Sequence, residues 1–382
     1  MKMYFRLNPE CYLIRGKKCG AIYDLIDEKI YALNQYETRI VTSSENNDVV
    51  NEDNTYLTEL EKLRIGRFYK KKIYVQKLRA GSPIREIQSE PPAFHRAFLE
   101  INNICNRNCW FCGYNGVKRS LGCIGCNRWN ENGESLSLEK WKRIINDLSD
   151  LDCKDIFIIG GDLTLVWAKT VNIVNYANSK FRNIYITLHH QSLSLDIANY
   201  LNNKANLIIQ TDNINVPQYN QSSVIMVMNP DDWTDFYDME SKGIKIDFVI
   251  DDVESLSNNL PIISKKKILP VNVYKFIDNI EYHPCLGHTL AICHNGNVIP
   301  CPLMRSHRFG NVRNGELYQV FEKNWKEIEK IWKLNLDKIE KCKCCEFRYA
   351  CTDCRALEEN LTGKLSGKRL CGYNPIEGEW LK

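Results

Sequence analysis

Cys105, Cys109 and Cys112 stand in the stretch Cys-Asn-Arg-Asn-Cys-Trp-Phe-Cys, with three and then two residues between successive thiols. Three thiolates can hold three irons of a [4Fe–4S] cube and leave the fourth iron open to an external ligand. Zinc normally takes a fourth protein ligand in a structural site, so a plain zinc knuckle is the less natural reading, although spacing alone leaves a structural metal open. A second field of cysteines lies near the C-terminus: Cys285, Cys293 and Cys301, then Cys342, Cys344, Cys345, Cys351 and Cys354, and last Cys371. Thiolate-only ligation there suits iron–sulfur clusters and zinc alike. Between the two fields, Cys123 and Cys126 form a C-x2-C. Such a pair is redox-active, holds a metal with partners elsewhere, or is inert.

The elements that must carry these groups follow from apolar patterning. Phe98-Leu-Glu-Ile-Asn-Asn-Ile reads as a strand whose following loop bears the first three cysteines. Ser137 caps a helix in which Trp141, Ile144, Ile145 and Leu148 share one face. Asp155-Ile-Phe-Ile-Ile is a buried strand ending in Gly160-Gly161-Asp162, a pair of glycines that by itself marks only a tight turn. Further strands are expected at Asn183–Leu188, Leu207–Thr211, Ser223–Met228 and Ile244–Ile250. Short apolar strands separated by helical lengths predict six parallel βα units, with chemistry at the C-terminal mouth of the strands. His189, His190 and Gln191 then read as an ordinary polar loop past the third strand.

Residues 1–85 read as a small α+β unit. Strands are expected at Tyr12–Arg15, at Ala21–Ile26 and Lys29–Leu33 as a meander, and at Ile73–Leu78, with a helical period over Leu57–Ile65. Nine Lys or Arg and no acidic residue lie between Lys62 and Arg85. That run is either a solvated basic surface or an attraction for an acidic peptide, and nucleic acid remains a third reading. Gly81-Ser-Pro and Glu90-Pro-Pro mark a linker.

With 382 residues, the chain has room for two or three domains. A net charge of +4 does not demand a nucleic-acid partner, and no run of about twenty apolar residues exists to span a membrane. The N-terminus lacks an apolar signal core, so a cytoplasmic protein is expected, in which the 17 cysteines are not a disulfide framework. The clustered ones serve metals, while Cys11, Cys19 and Cys153 stand alone as buried or incidental thiols.

Strand, cysteine loop, helix, strand and glycine pair, in that order, resemble the radical S-adenosylmethionine (SAM) enzymes, whose signature is C-x3-C-x-Φ-C. The resemblance implies a partial (βα)6 TIM-like barrel over residues 95–275, with a SAM-binding [4Fe–4S] cluster on Cys105, Cys109 and Cys112. It implies that Phe111 lies against the adenine and that Gly160, Gly161 and Asp162 hold the SAM ammonium. Asp162 stands where the family usually has Glu, one methylene longer. Thr211 and Asp212 would face the ribose.

Residues 280–382 resemble the SPASM domain, whose pattern is C-x9–15-G-x4-C, then C-x2-C-x5-C-x3-C, then C. Ten residues separate Cys285 from Gly296 and four separate Gly296 from Cys301, while Cys354 comes one residue early and Cys344 is extra. By the family's interleaved wiring, Cys285, Cys293, Cys301 and Cys354 would hold one auxiliary [4Fe–4S] cluster. Cys342, Cys345, Cys351 and Cys371 would hold the other, making three clusters in all.

The pattern at residues 20–34 is similar to the winged-helix-like, PqqD-like leader-recognition domain fused to peptide-modifying enzymes, which would bind an extended leader by β-augmentation. Together these resemblances imply a maturase of ribosomally made peptides that abstracts hydrogen from a core residue. It would then install a thioether or carbon–carbon crosslink. Its partners would be a precursor peptide with a leader and an electron donor such as flavodoxin or ferredoxin. Peptide epimerisation, with Cys123 or Cys126 as hydrogen donor, is the alternative. A nucleic-acid-modifying enzyme and a non-catalytic zinc protein are the remaining readings.

Overall fold

The computed structural model describes residues 2–79, 94–213, 222–229, 243–250 and 268–380. The expected linker signals at 81–83 and 90–92 lie outside these residues. The N-terminal unit contains β1 (Lys2–Leu7), β2 (Cys11–Arg15), β3 (Gly20–Asp24), β4 (Lys29–Leu33), α1 (Gln35–Glu45), β5 (Val50–Asn51), α2 (Thr55–Lys62) and β6 (Gly66–Tyr69). Two three-stranded antiparallel sheets result, β5-β1-β6 and β2-β3-β4. Asn34 starts α1 with a reciprocal capping box to Glu37, which satisfies two otherwise orphaned N–H groups.

The strand expected at Ile73–Leu78 is absent, and β6 takes its place. Apolar complementarity decides this. Phe68 sits opposite Phe5 in the β1–β6 ladder, with the rings edge to face at 5.2 Å. Tyr74, in the expected strand, is 82% exposed. Lys77 is pinned instead, with Nζ donating to the carbonyls of Asn8 (3.3 Å) and Cys11 (2.8 Å) and lying 3.3 Å from Glu45. This part of the basic run therefore braces the fold.

The central region supplies β7 (Arg96–Glu100), β8 (Lys118–Arg119), α3 (Leu138–Asp150), β9 (Asp155–Ile159), α4 (Trp167–Ala177), β10 (Asn183–His189), α5 (Leu195–Leu201), β11 (Asn206–Thr211), β12 (Ser223–Met228) and β13 (Lys245–Ile250). Strands β7, β9, β10, β11, β12 and β13 are parallel neighbours in that order, as expected. Ser137 caps α3, and the helix buries Trp141, Ile144, Ile145 and Leu148 against Leu99, Ile156 and Ile158.

The C-terminal region continues with α6 (Val273–Glu281), β14 (Thr289–Ile292), β15 (Asn297–Ile299), β16 (Gly310–Asn311), α7 (Leu317–Trp332), α8 (Arg355–Thr362), β17 (Tyr373–Asn374) and β18 (Glu379–Trp380). β14 joins the barrel sheet parallel to β7, followed by β15 and β16, while β8 closes the other edge against β13. The sheet thus reaches ten strands among the described residues.

The N-terminal unit is also packed in. Ile14, Ala21, Tyr23 and Leu25 share one core with Val271, Phe276, Phe347, Tyr349 and Tyr373. Tyr23 Oη donates to the Glu346 carbonyl at 2.9 Å, and the Lys17 N–H donates to that of Cys344 at 2.8 Å. No described helix is long and apolar enough to cross a membrane.

Candidate functional site

At the C-terminal mouth of β7, β9, β10 and β11, one cavity is lined by Cys105, Cys109, Cys112, Phe111, Gly161 and Asp162 together with Cys126, His189 and Gln210. Asn102, fully buried after β7, builds this geometry. Its Oδ1 accepts from the Gly161 N–H at 2.9 Å, and its Nδ2 donates to the Asp162 carbonyl at 2.9 Å. Gly160 has φ +149°, a conformation open to glycine, and its carbonyl accepts from the Asn127 N–H at 2.8 Å. Asn103 pins the opposite wall, accepting from the Trp129 N–H at 2.6 Å and donating to the Trp129 carbonyl. Sequence reading missed both asparagines. The paired polar residues at the end of an apolar strand were the available signal.

The Asp162 carboxylate is engaged within the chain. Oδ1 accepts from the Thr164 N–H (3.0 Å) and hydroxyl (2.6 Å), and Oδ2 accepts from Ser192 Oγ at 2.9 Å with Arg107 at 3.7 Å. Phe111 is buried, with His189 stacked at 6.1 Å on one side and the Arg119 guanidinium 5.3 Å from its ring. Thr211 stands outside the cavity lining. Its hydroxyl bonds the backbone of Asn213, and the adjacent Gln210 points into the site because successive strand residues face opposite ways.

Gln210 grips the second cysteine loop, accepting from the Cys126 N–H at 2.8 Å and donating to its carbonyl at 3.2 Å. Cys126 Sγ lies 3.1 Å from the Gly161 carbonyl. Burial, then Cys105 and Cys112, push its thiol well above the ordinary range, which keeps it protonated. His189 is held neutral, pushed down to about 4 by burial and then by His190. Its Nδ1 accepts from the Gln191 N–H, and its Nε2 has no hydrogen-bond partner among the described residues. His189, His190 and Asp212 also offer ligand atoms within 4.8 Å of one another at this mouth.

Among the C-terminal cysteines, Cys342, Cys345, Cys351 and Cys371 line one cavity together with Lys368. Beside it is a buried charge network. Asp353 is paired with Arg355 and with Lys368 at 2.6 Å, and lies 3.4 Å from His283 Nε2. Burial alone would raise Asp353, but these cations hold it well below the usual carboxylate range.

Cys285, Cys301 and Cys354 also converge. After burial, Cys354, Cys123 and Cys285, in that order, are the largest coulombic influences on Cys301. Cys293 stands apart from these three, buried among Phe98, Ile159, Ala291 and Ile299, with Glu100 and then Arg305 as the largest charge influences on it after burial. Cys293 directly follows β14 and, two residues on from Ala291, packs in the same apolar cluster.

The donor sets fit iron–sulfur groups. One cavity gathers the three thiols of the Cys105–Cys112 loop and that of Cys126, with the buried, orphaned ring nitrogen of His189 beside them, and another gathers Cys342, Cys345, Cys351 and Cys371.

Residues 99–220 match the family model of the radical SAM superfamily, and residues 285–346 match that of SPASM, an iron–sulfur cluster-binding domain. No curated protein sequence matches the chain. Among solved structures, the chain is similar to Streptococcus suis SuiB bound to S-adenosylmethionine, with 12% identity, 96% of this chain and 100% of that chain covered, and a TM-score of 0.45. It is similar also to Streptococcus suis SuiB bound to precursor peptide SuiA, at 13% identity over 98% and 100% of the two chains, with a TM-score of 0.44. BtrN in complex with AdoMet and 2-DOIA aligns at 16% identity over 69% and 95%, with a TM-score of 0.38.

Proposed function

We propose that this chain, a radical SAM enzyme with a SPASM domain, matures a ribosomally made peptide by crosslinking a core residue through a thioether or carbon–carbon bond. The observation that carries the reading is the coexistence of a strand-mouth cavity that holds the three thiols of the Cys105–Cys112 loop with a separate cavity lined by Cys342, Cys345, Cys351 and Cys371. When bound, the cofactors supply a 5′-deoxyadenosyl radical for hydrogen abstraction and a sink for the electron that crosslinking releases. The chain's own part is positional. Asn102 fixes the Gly160–Asp162 turn, Gln210 fixes the Cys126 loop, and Phe111 floors the cavity.

In this reading residues 1–85 bind the leader, 95–275 form the SAM core and 280–382 hold the auxiliary clusters. β4 ends its sheet, and its Ile30 and Ala32 border a cleft shared with Ile268, Phe347 and Trp380. An added leader strand would pair with that edge. An external donor such as flavodoxin or ferredoxin would supply the electrons for SAM cleavage. Trp110 and Tyr114, 45% and 44% exposed beside the cysteine loop, offer it a surface.

The test is anaerobic incubation of the reconstituted enzyme, SAM and reductant with the precursor encoded beside its gene, followed by mass spectrometry. Loss of two hydrogen atoms per modification, with 5′-deoxyadenosine formed, is expected. Cys126 supports a second reading, because a neutral thiol in the radical cavity is a hydrogen-atom donor. An unchanged peptide mass with a D-residue after hydrolysis would establish epimerisation and refute the crosslink. A precursor left unmodified while SAM is cleaved sinks the peptide reading.

A further inference from the structure

We propose that Cys123, from the barrel loop, and not Cys293, is the fourth thiolate of the auxiliary site formed by Cys285, Cys301 and Cys354. The inference rests on the iron–sulfur reading of that site and changes its ligand set. The geometry begins with the loops that carry the four thiols. A Cβ on Gly122 would lie 3.3 Å from Leu303 Cδ2, so the loop before Cys123 packs on the turn that follows Cys301. The Leu303 carbonyl accepts from Asn360 Nδ2 at 2.9 Å, which ties that turn to α8. Cys354 is the N-cap of α8, and β8, four residues before Cys123, packs against the same helix. His283 closes the ring. Its Nδ1 accepts from the Cys285 N–H at 3.0 Å, while its Nε2 faces Asp353, the neighbour of Cys354.

The electrostatics agree with this geometry. Burial and then Cys285 push Cys123 up to about 12, and Cys285 and Cys123 are likewise the largest coulombic influences on Cys354. Cys293 meets an acid and a guanidinium where a ligand would meet thiols.

The arrangement has a consequence for the enzyme. The C-x2-C becomes a covalent bridge, with Cys123 in the auxiliary set and Cys126 lining the SAM cavity. The odd spacing of Cys354 and the isolated C-x2-C are then two sides of one adaptation.

The test uses the full chain with Cys105, Cys109 and Cys112 replaced by Ala, so that only auxiliary iron is counted. After anaerobic reconstitution this background should bind about eight irons, four for each cluster. Adding Cys123→Ala should remove about four of them, or about one with a [3Fe–4S] signal in the oxidised EPR spectrum. Adding Cys293→Ala should leave the count unchanged. Circular dichroism establishes folding for each variant. Should Cys123→Ala not fold, Cys123→Ser provides the readout: an alkoxide ligand must shift the EPR spectrum of the reduced cluster. A Cys123→Ala protein that keeps all its iron, a folded Cys293→Ala protein that loses iron, or an unchanged Cys123→Ser spectrum overturns the proposal. A background that takes up no iron refutes the auxiliary-cluster reading itself.

Discussion

Gly161→Ala adds a single methyl group, and the structure fixes what it would meet. A Cβ at Gly161 would press on the Ile104 carbonyl oxygen, with Ile104 C at 2.8 Å and N at 3.0 Å. All three are backbone atoms of the residue before Cys105, so no side chain can swing aside. Comfortable carbon contacts lie at about 3.5 Å or more, which requires a displacement of about 1 Å. Overpacking of this kind costs about 1–3 kcal/mol of stability. A misplacement of about 1 Å at a reacting centre costs about 100-fold in rate. The turn cannot yield toward the strand, because the Gly161 N–H is held by Asn102 and the Asp162 N–H by the Ile104 carbonyl at 2.7 Å. The assay is 5′-deoxyadenosine formation by reconstituted, dithionite-reduced protein, with iron content and melting temperature measured alongside. A fall of about 100-fold is expected with the auxiliary iron retained. Gly363→Ala is the control. That glycine ends α8 at φ +69° with no atom within 4 Å, so alanine should cost about 1 kcal/mol of stability and leave SAM cleavage alone. A Gly161→Ala enzyme that cleaves SAM within about twofold of the parent would refute the argument from close approach.

The other predictions address the clusters, the buried charges and the N-terminal unit. Replacing Cys105, Cys109 or Cys112 by Ala should abolish 5′-deoxyadenosine formation. A folded Cys351→Ala or Cys371→Ala variant should still cleave SAM but crosslink little peptide, as quantified by mass spectrometry. Asp353→Asn leaves Arg355 and Lys368 buried without their anion, and should cost about 3–5 kcal/mol in denaturant unfolding. His95 is pushed down to about 3, by burial first and then by His288. The neutral form is therefore favoured in the folded state, so its contribution is full above the unfolded value near 6.5 and is lost as pH falls toward 3. At pH 5 the wild type should have lost about 2 kcal/mol through this group relative to pH 7, a loss that His95→Asn should not share. Deleting residues 1–79 should lower the melting temperature as well as peptide processing, because it strips Phe276, Phe347 and Tyr349 of their shared core.

The sequence by itself determined the chemistry that local spacing can encode. Three thiols within eight residues lie in one cavity because a single loop after β7 carries them, whatever surrounds it. The α3 stripe of Trp141, Ile144, Ile145 and Leu148, its Ser137 cap and the six parallel strands were legible for the same reason, since period and capping are properties of neighbouring residues. The strand expected at Ile73–Leu78 was not settled this way. An apolar run specifies extended backbone only when a partner edge is free, and β6 already pairs with β1.

Only the tertiary structure decided which distant groups meet. Asn102 and Gln210 looked like ordinary polar residues of strand ends until the crossovers brought Gly161 and Cys126 against them. Thr211 and Gln210 are neighbours in sequence, yet the pleat turns one toward its own backbone and the other into the cavity. Cys293 has the spacing of a ligand, yet directly after β14 it packs in the apolar cluster of Ala291. Cys123, some 160 residues before Cys285, is delivered to the auxiliary thiols by the packing of β8 on α8. Spacing constrains thiols on one loop, but a ligand set drawn from four loops is fixed by how sheet and helices pack, and no local pattern records that.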